Sequence, residues 1–153
     1  MQKKFMRAAI KEAQKAEKID EVPIGAVIVM DGKIIARAHN LMEKTQLATA
    51  HAEILAINKA CKKLKSWRLD DAEMYITVEP CAMCAGAIAN ARIKKVYFGA
   101  YELKSGCAIS KFPVLTDSGL NHTTQFEGGV EQEICANIIK NYFKAKRIKK
   151  SLD

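Results

Sequence analysis

Two short stretches of this chain hold residues that could do chemistry together: Thr49-Ala50-His51-Ala52-Glu53 and Pro80-Cys81-Ala82-Met83-Cys84. The imidazole of His51 and the thiols of Cys81 and Cys84 make a set of three zinc ligands. A tetrahedral ion held by three side chains keeps its fourth position for water, which is the layout of catalytic zinc. Structural zinc is normally closed by four protein ligands. Glu53, two residues past the histidine, is placed to move protons on and off that water. Zinc lowers the pKa of its water to near neutrality, so hydroxide forms without a strong base. The set therefore suits attack on an amidine-like carbon that loses ammonia.

The spacing says which elements must position these groups. Cys81 and Cys84, at i and i+3 of a helix opened by Pro80, project from one face near the positive end of the helix dipole, where thiolates are favoured. A buried structural pair or a redox pair is the bland alternative, and the upstream His-x-Glu weighs against both. His51 and Glu53, at i and i+2, do not share a helix face. Both reach one ion if His51 sits in the first turn and Glu53 folds across the helix mouth. The residues between His51 and Cys81 leave room for helix, loop and strand, so that two helix N-termini meet at the sheet ends in a catalytic crevice. His39 and His122 have no comparable partners and are not taken as ligands.

In chain order, apolar residues from Phe5 to about Lys18 recur at helical spacing. Ala26–Met30 reads as a buried strand, Asp31-Gly32 as a two-residue hairpin turn, and Lys33–His39 as the returning strand. Glu43 to Gln46 reads as a polar loop. Thr49 is the expected N-cap of a helix from about Ala50 to Leu64, buried through Ile54, Ile57, Cys61 and Leu64. Glu73–Val78 reads as a third strand, Cys81–Asn90 as an alanine-rich helix and Lys95–Gly99 as a fourth strand. No element is assigned between Ala100 and His122. A short strand near Thr124–Phe126 and a helix from Glu131 to about Arg147 complete the pattern. A hairpin followed by alternating helices and strands predicts an α/β fold, a three-layer α/β/α sandwich on a mixed sheet of about five strands.

Length and composition bound the rest. The 153 residues predict a single domain, 1–153, able to bury a core without disulfides. No apolar run approaches the roughly 20 residues a bilayer demands. The charged N-terminal pattern is neither a signal peptide nor an acid-poor presequence, which predicts a cytoplasmic protein. Five cysteines, two of them at metal-type spacing, fit a reducing compartment. A net charge of +8 permits a polyanionic partner. Only five of the 25 basic residues are Arg, however, and a lysine-rich bias can arise without any binding role.

The His-x-Glu and Pro-Cys-x-x-Cys pair is the mark of zinc nucleobase deaminases. With Asp20-Glu21-Val22-Pro23-Ile24-Gly25-Ala26, Ala38-His39-Asn40, Trp67-Arg68-Leu69, Phe98-Gly99-Ala100 and Asn121-His122, it makes the chain resemble, over nearly its whole length, the bacterial tRNA-specific adenosine deaminases of the cytidine-deaminase-like superfamily. The resemblance implies a homodimer with one Zn²⁺ per subunit. Each subunit would convert the wobble adenosine of a tRNA anticodon stem-loop to inosine. It also implies that Asn40 and Ala52 contact the flipped nucleotide, and that Asn121, Tyr142, Phe143 and Arg147 lie near the RNA. Tyr142 and Phe143 read equally well as helix core. Lys144, Lys146, Arg147, Lys149 and Lys150 read equally as a solvated helix end, where cations suit the dipole. Leu47-Ala48, Tyr101-Glu102 and Lys111-Phe112-Pro113 depart from the family pattern. Two other functions compete: a free-base deaminase acting on guanine or cytosine, and an inert zinc-stabilised RNA-binding subunit. The basic C-terminal helix disfavours the first, because a small ligand gains little from distant positive charge. Glu53 disfavours the second, because an inert subunit has no chemical use for it.

Overall fold

In the computed structural model, which describes residues 1–115 and 122–152, the alternation of side chains along the strands sorts the apolar residues into two cores. Helix α1 (Gln2–Lys18) leads into the hairpin β1 (Gly25–Met30) and β2 (Lys33–His39). A short α2 (Met42–Thr45) and α3 (Ala52–Leu64) precede β3 (Glu73–Val78). Then come α4 (Ala82–Asn90), β4 (Lys95–Ala100), β5 (Gln125–Glu127) and α5 (Gln132–Leu152). The sheet order is β2-β1-β3-β4-β5. β1 pairs antiparallel with β2 and β3, whereas β3, β4 and β5 run parallel. This is the expected three-layer sandwich on a mixed sheet.

Successive strand residues point to opposite faces. Val27, Val29, Tyr75 and Tyr97 meet Phe5, Met6, Ala9 and Ile10 of α1 and Cys135 of α5. Ala26, Ile28, Met74, Ile76, Val96 and Phe98 meet Ala52, Ala56 and Ala60 of α3 and Ala85 and Ile88 of α4. The alanines let the helices approach closely. A side chain at Gly25 would come within 2.0 Å of the Ala9 carbonyl, so only glycine lets α1 lie on the start of β1. The hairpin turns as expected, with Asp31 and Gly32 at positive φ of 53° and 74°, the values of a primed two-residue turn.

Topology then sets where the site forms. Because β1 is antiparallel to both its neighbours, its first residues lie beside the end of β2 and the end of β3: Gly25 pairs with His39 and Ala26 with Ile76. The chain leaving β2 passes through α2 into α3, and the chain leaving β3 enters α4. Both helix N-termini therefore stand at the same edge of the sheet.

Four expectations are corrected. The segment from Glu43 is the helix α2, not a loop, because the buried Glu21 carboxylate accepts the N–H groups of Glu43 (2.9 Å) and Lys44 (2.7 Å) and satisfies its first turn. Thr49 is not the cap of α3. His51 takes that position in extended conformation, with its carbonyl accepting the Leu55 N–H. The buried face of α3 runs through Ala52, Glu53, Ala56, Ile57 and Ala60, while Leu64 is exposed. Three alanines dominate that face, which lets α3 lie close to the sheet. Finally, α5 runs on to Leu152.

Candidate active site

His51 and Cys81 are both N-cap residues, and neither uses its side chain to cap its helix. A capping residue has extended backbone geometry, so its side chain leaves the helix axis and points across the mouth of the helix. Here the two side chains point at each other. His51 Nδ1 lies 3.7 Å from Cys81 Sγ and 3.5 Å from Cys84 Sγ. The three donor atoms all fall within 4.8 Å of one another, and among the described residues no other group of His, Cys and acids is so placed. A tetrahedral zinc with bonds of about 2.0–2.3 Å needs ligand atoms roughly 3.5–3.8 Å apart, which the His51–sulfur distances match. The donor set fits a zinc ion.

The electrostatics of the cluster point the same way. The Cys84 thiol, with His51 and the Cys84 backbone N–H, hydrogen-bonds Cys81 and outweighs its burial, holding the Cys81 thiol down at about 4. Cys84 is pushed up by that same bond, by burial and by the charges of Glu53 and Cys81. His51 is raised by its bond to Cys81, against the effect of burial. Donor atoms packed this closely compete for protons, which a metal ion would displace.

Glu53 completes the cluster from the first turn of α3. It is buried at 4% exposure, and burial raises its carboxyl above the ordinary value. Its Oε1 has no hydrogen-bond partner among the described residues. A buried carboxylate oxygen without a partner costs about 1–3 kcal/mol or more, so its position is explained by a group that arrives with ligand.

Beside the cluster opens a cavity of about 200 Å³ lined by Val22, Ile24, Asn40, Met42, His51, Ala52 and Glu53. This is below the ~300 Å³ of a drug-sized pocket and suits one planar base. Asn40 sits at its wall with Oδ1 accepting the Met42 N–H (3.2 Å) and Nδ2 at a long 3.5 Å from the Val22 carbonyl. That amide is held in orientation while its donor is barely engaged.

Of the residues singled out from sequence, His51, Glu53, Asn40 and Ala52 share the cavity, and Cys81 and Cys84 adjoin it through His51. Tyr142, Phe143 and Arg147 do not line it. Tyr142 is buried, with its hydroxyl donating to Asp20 (3.2 Å), so its ring belongs to packing. Phe143 and Arg147 are exposed on α5. Tyr142 nevertheless ties α5 to the chain two residues before Val22, a cavity residue. Asn121 lies outside the described residues. His39 and His122 join no metal cluster. His39 Nδ1 pairs with Glu12 at 3.0 Å, and His122 Nε2 donates to the Ile93 carbonyl at 2.9 Å. Val22, Ile24 and Met42 had no assigned role in the sequence. For Val22 and Ile24 the one signal is the apolar Val-Pro-Ile run placed directly before β1, and Met42 carries none.

A family model described as MafB19-like deaminase matches residues 1–147. A tRNA-specific adenosine deaminase of Bacillus subtilis is 49% identical over 146 residues, covering 95% of this chain and 91% of the relative. A solved structure from work on A-to-I editing by tRNA:A34 deaminases superposes with a TM-score of 0.85 at 42% identity, covering 88% of this chain and 97% of that one. A guanine deaminase structure from Bacillus subtilis superposes less fully. Its TM-score is 0.62 at 44% identity, over 64% of this chain and 63% of that one.

Proposed function

The chain belongs to the tRNA-specific adenosine deaminases, and from that premise we propose that His51, Cys81 and Cys84 hold one zinc ion per subunit, with Glu53 as the proton carrier. The reaction is the hydrolytic deamination of adenosine 34 of tRNA to inosine. Zinc, when bound, lowers the pKa of its water and supplies a nucleophile at neutral pH.

The remaining work falls to side chains. Val22, Ile24, Met42 and Ala52 give the cavity apolar walls that hold the base and exclude bulk water. The weakly engaged amide of Asn40, at the cavity wall, is available to the nucleotide. As the water oxygen bonds to C6 of the base, the Glu53 carboxylate takes its proton and passes it to the ring nitrogen. Glu53 then takes the remaining proton from the new C6 hydroxyl and delivers it to the amine, so that the C6–N bond breaks, ammonia leaves and the C6 carbonyl of inosine forms. A carboxyl whose pKa is raised by burial works nearer to the operating pH in both directions of transfer.

The observation that carries this reading is the buried, unpartnered Oε1 of Glu53 facing the His51–Cys81–Cys84 cluster. The test is incubation with an anticodon stem-loop bearing adenosine at the wobble position, with free guanine, cytosine and adenosine as controls. Inosine is expected in the stem-loop only. Cys84→Ala should lower bound zinc well below one ion per subunit, and unchanged metal content would remove Cys84 from the ligand set.

A groove of about 610 Å³ between α3 and α4, lined by Ile54, Ile57, Cys61 and Ala87 beside the exposed Trp67, leaves an apolar face on the helices that carry the ligands. A second copy of the chain is the occupant we propose, which sedimentation would read as twice 17.0 kDa. No described helix is long and apolar enough to cross a membrane. Work on tRNA implies the cytoplasm.

A further inference from the structure

Glu79 lies two residues before Cys81 and has no role in the chemistry above. It is buried at 3% exposure, and among the described residues it forms no salt bridge. Its carboxylate instead gathers one stretch of backbone. Oε1 accepts the Glu102 N–H at 3.0 Å and the Ser110 hydroxyl. Oε2 accepts the N–H groups of Ala108 (3.1 Å), Ile109 (2.8 Å) and Ser110 (2.9 Å). The neighbouring backbone joins in: Glu79 N–H donates to the Ala100 carbonyl at 2.8 Å, and the Pro80 carbonyl accepts Cys107 N–H at 2.7 Å. Gly106 closes the turn. A side chain there would come within 2.4 Å of the Glu79 carboxyl and of the Glu102 carbonyl.

A buried anion satisfied by so many donors from one segment determines that segment's path, because each donor left unpaired in the interior is costly. What the segment presents outward is unlike an ordinary solvated loop. Leu103, Ile109 and Phe112 are 77%, 56% and 58% exposed, with Tyr101 at 42%. Exposed Lys104 and Lys111 stand among them. Apolar and aromatic surface interleaved with lysine is what splayed bases and their phosphates bind to.

We infer that Glu79 is a positioning residue for RNA. Its carboxylate folds residues 102–110 into a rim beside Cys81, and that rim sets how tightly the anticodon loop docks. This rests on the tRNA reading above. The rim contributes to binding and not to proton transfer, so its loss should separate KM from kcat.

The test uses Glu79→Gln, which sets an NH₂ group against the backbone donors, and Gly106→Ala, which breaks the wrap from the other side and leaves the acid intact. Each is compared with the unaltered protein for zinc content, oligomer mass, kcat, KM and the Kd of a fluorescent anticodon stem-loop. Both variants are expected to raise KM and Kd by about tenfold or more, the loss of one or two ordered contacts, with kcat within about threefold and zinc and mass unchanged. Glu79→Asp, which keeps the charge, should recover part of the loss. Three results overturn the proposal: a lowered melting temperature with KM and Kd unchanged, a fall in kcat that tracks lost zinc, or a fall in oligomer mass. If Glu79→Gln does not fold, Gly106→Ala decides alone. If the unaltered protein binds no stem-loop, the tRNA reading fails and takes this one with it. If it binds and both variants bind equally well, this inference alone fails.

Discussion

In and beside the first turns of α3 and α4 small side chains are buried: Ala50, Ala52, Ala56, Cys84 and Ala85 are each at most 3% exposed. Along α5 the reverse holds, and from Phe143 to Leu152 every residue is exposed. The crevice needs donor atoms at fixed separations, and a dense core of small residues supplies that, because close-packed interiors hold their positions. If α5 meets RNA, as its basic residues would allow, it needs only charge. A phosphate is attracted to lysine from many directions, so an exposed row of flexible cations suffices. One region spends burial on geometry and the other leaves its side chains to the solvent. Their effects should separate under mutation.

The deepest cut should come from the crevice. Glu53→Gln removes the proton carrier without changing shape, and turnover should fall by about 10²–10⁴-fold, while the Kd of the stem-loop stays within experimental error. Retained turnover would take the shuttle role from Glu53. Charge removal on the helix should do the opposite. With Lys149 and Lys150 both replaced by Gln, kcat at saturating RNA should hold. If both touch phosphate, the slope of log K against log salt should flatten by about 1.4. An unaltered slope would place these two lysines away from the backbone of the RNA.

The smallest effect is expected where the two regions are joined. Lys146 donates to Asp20 at 2.8 Å and Tyr142 donates to the same carboxylate, tying α5 to the segment that continues into Val22. The hydrogen bond from Lys146, helped by Tyr142 and opposed by slight desolvation, holds the Asp20 carboxyl below its ordinary value of 3.8. A lowered folded-state pKa stabilises the fold above the ordinary aspartate range, and the contribution disappears as the pH falls through the lowered value. Lys146→Met should therefore melt slightly earlier than the unaltered chain at pH 7 and alongside it in strong acid. The pair is solvent-exposed, so the shift is small. A gap that persists in acid would mean that Lys146 acts by packing.

Much of this was legible in the residues themselves. The hairpin at Asp31-Gly32 and the strand Glu73–Val78 were read correctly because turn chemistry and apolar runs are local signals. That His51, Cys81 and Cys84 form one cluster was legible because a His-x-Glu and a Cys-x-x-Cys at those spacings have few other uses. Other features were not. Thr49 is a better capping residue than His51 by propensity, yet His51 takes the cap because its side chain is directed to the sulfurs and not to its own helix. Tyr142 reads equally as a stacking ring or as core, and only its bond to Asp20, far away in the chain, decides for packing. Glu79 sits in plain view beside Pro80, but nothing local shows that its partners are the N–H groups of 102 and 108–110.

Residue types and near-neighbour spacing determined which chemistry was available and which segments became helix or strand, since both follow from interactions within a few positions. The tertiary structure alone decided that His51 and Cys81, 30 residues apart, stand within 3.7 Å of each other, because that meeting depends on β1 running against β2 and β3. It also decided which acids act by charge and which by organising backbone. A carboxylate in sequence is the same group everywhere, and what it does follows from burial and from the donors that surround it.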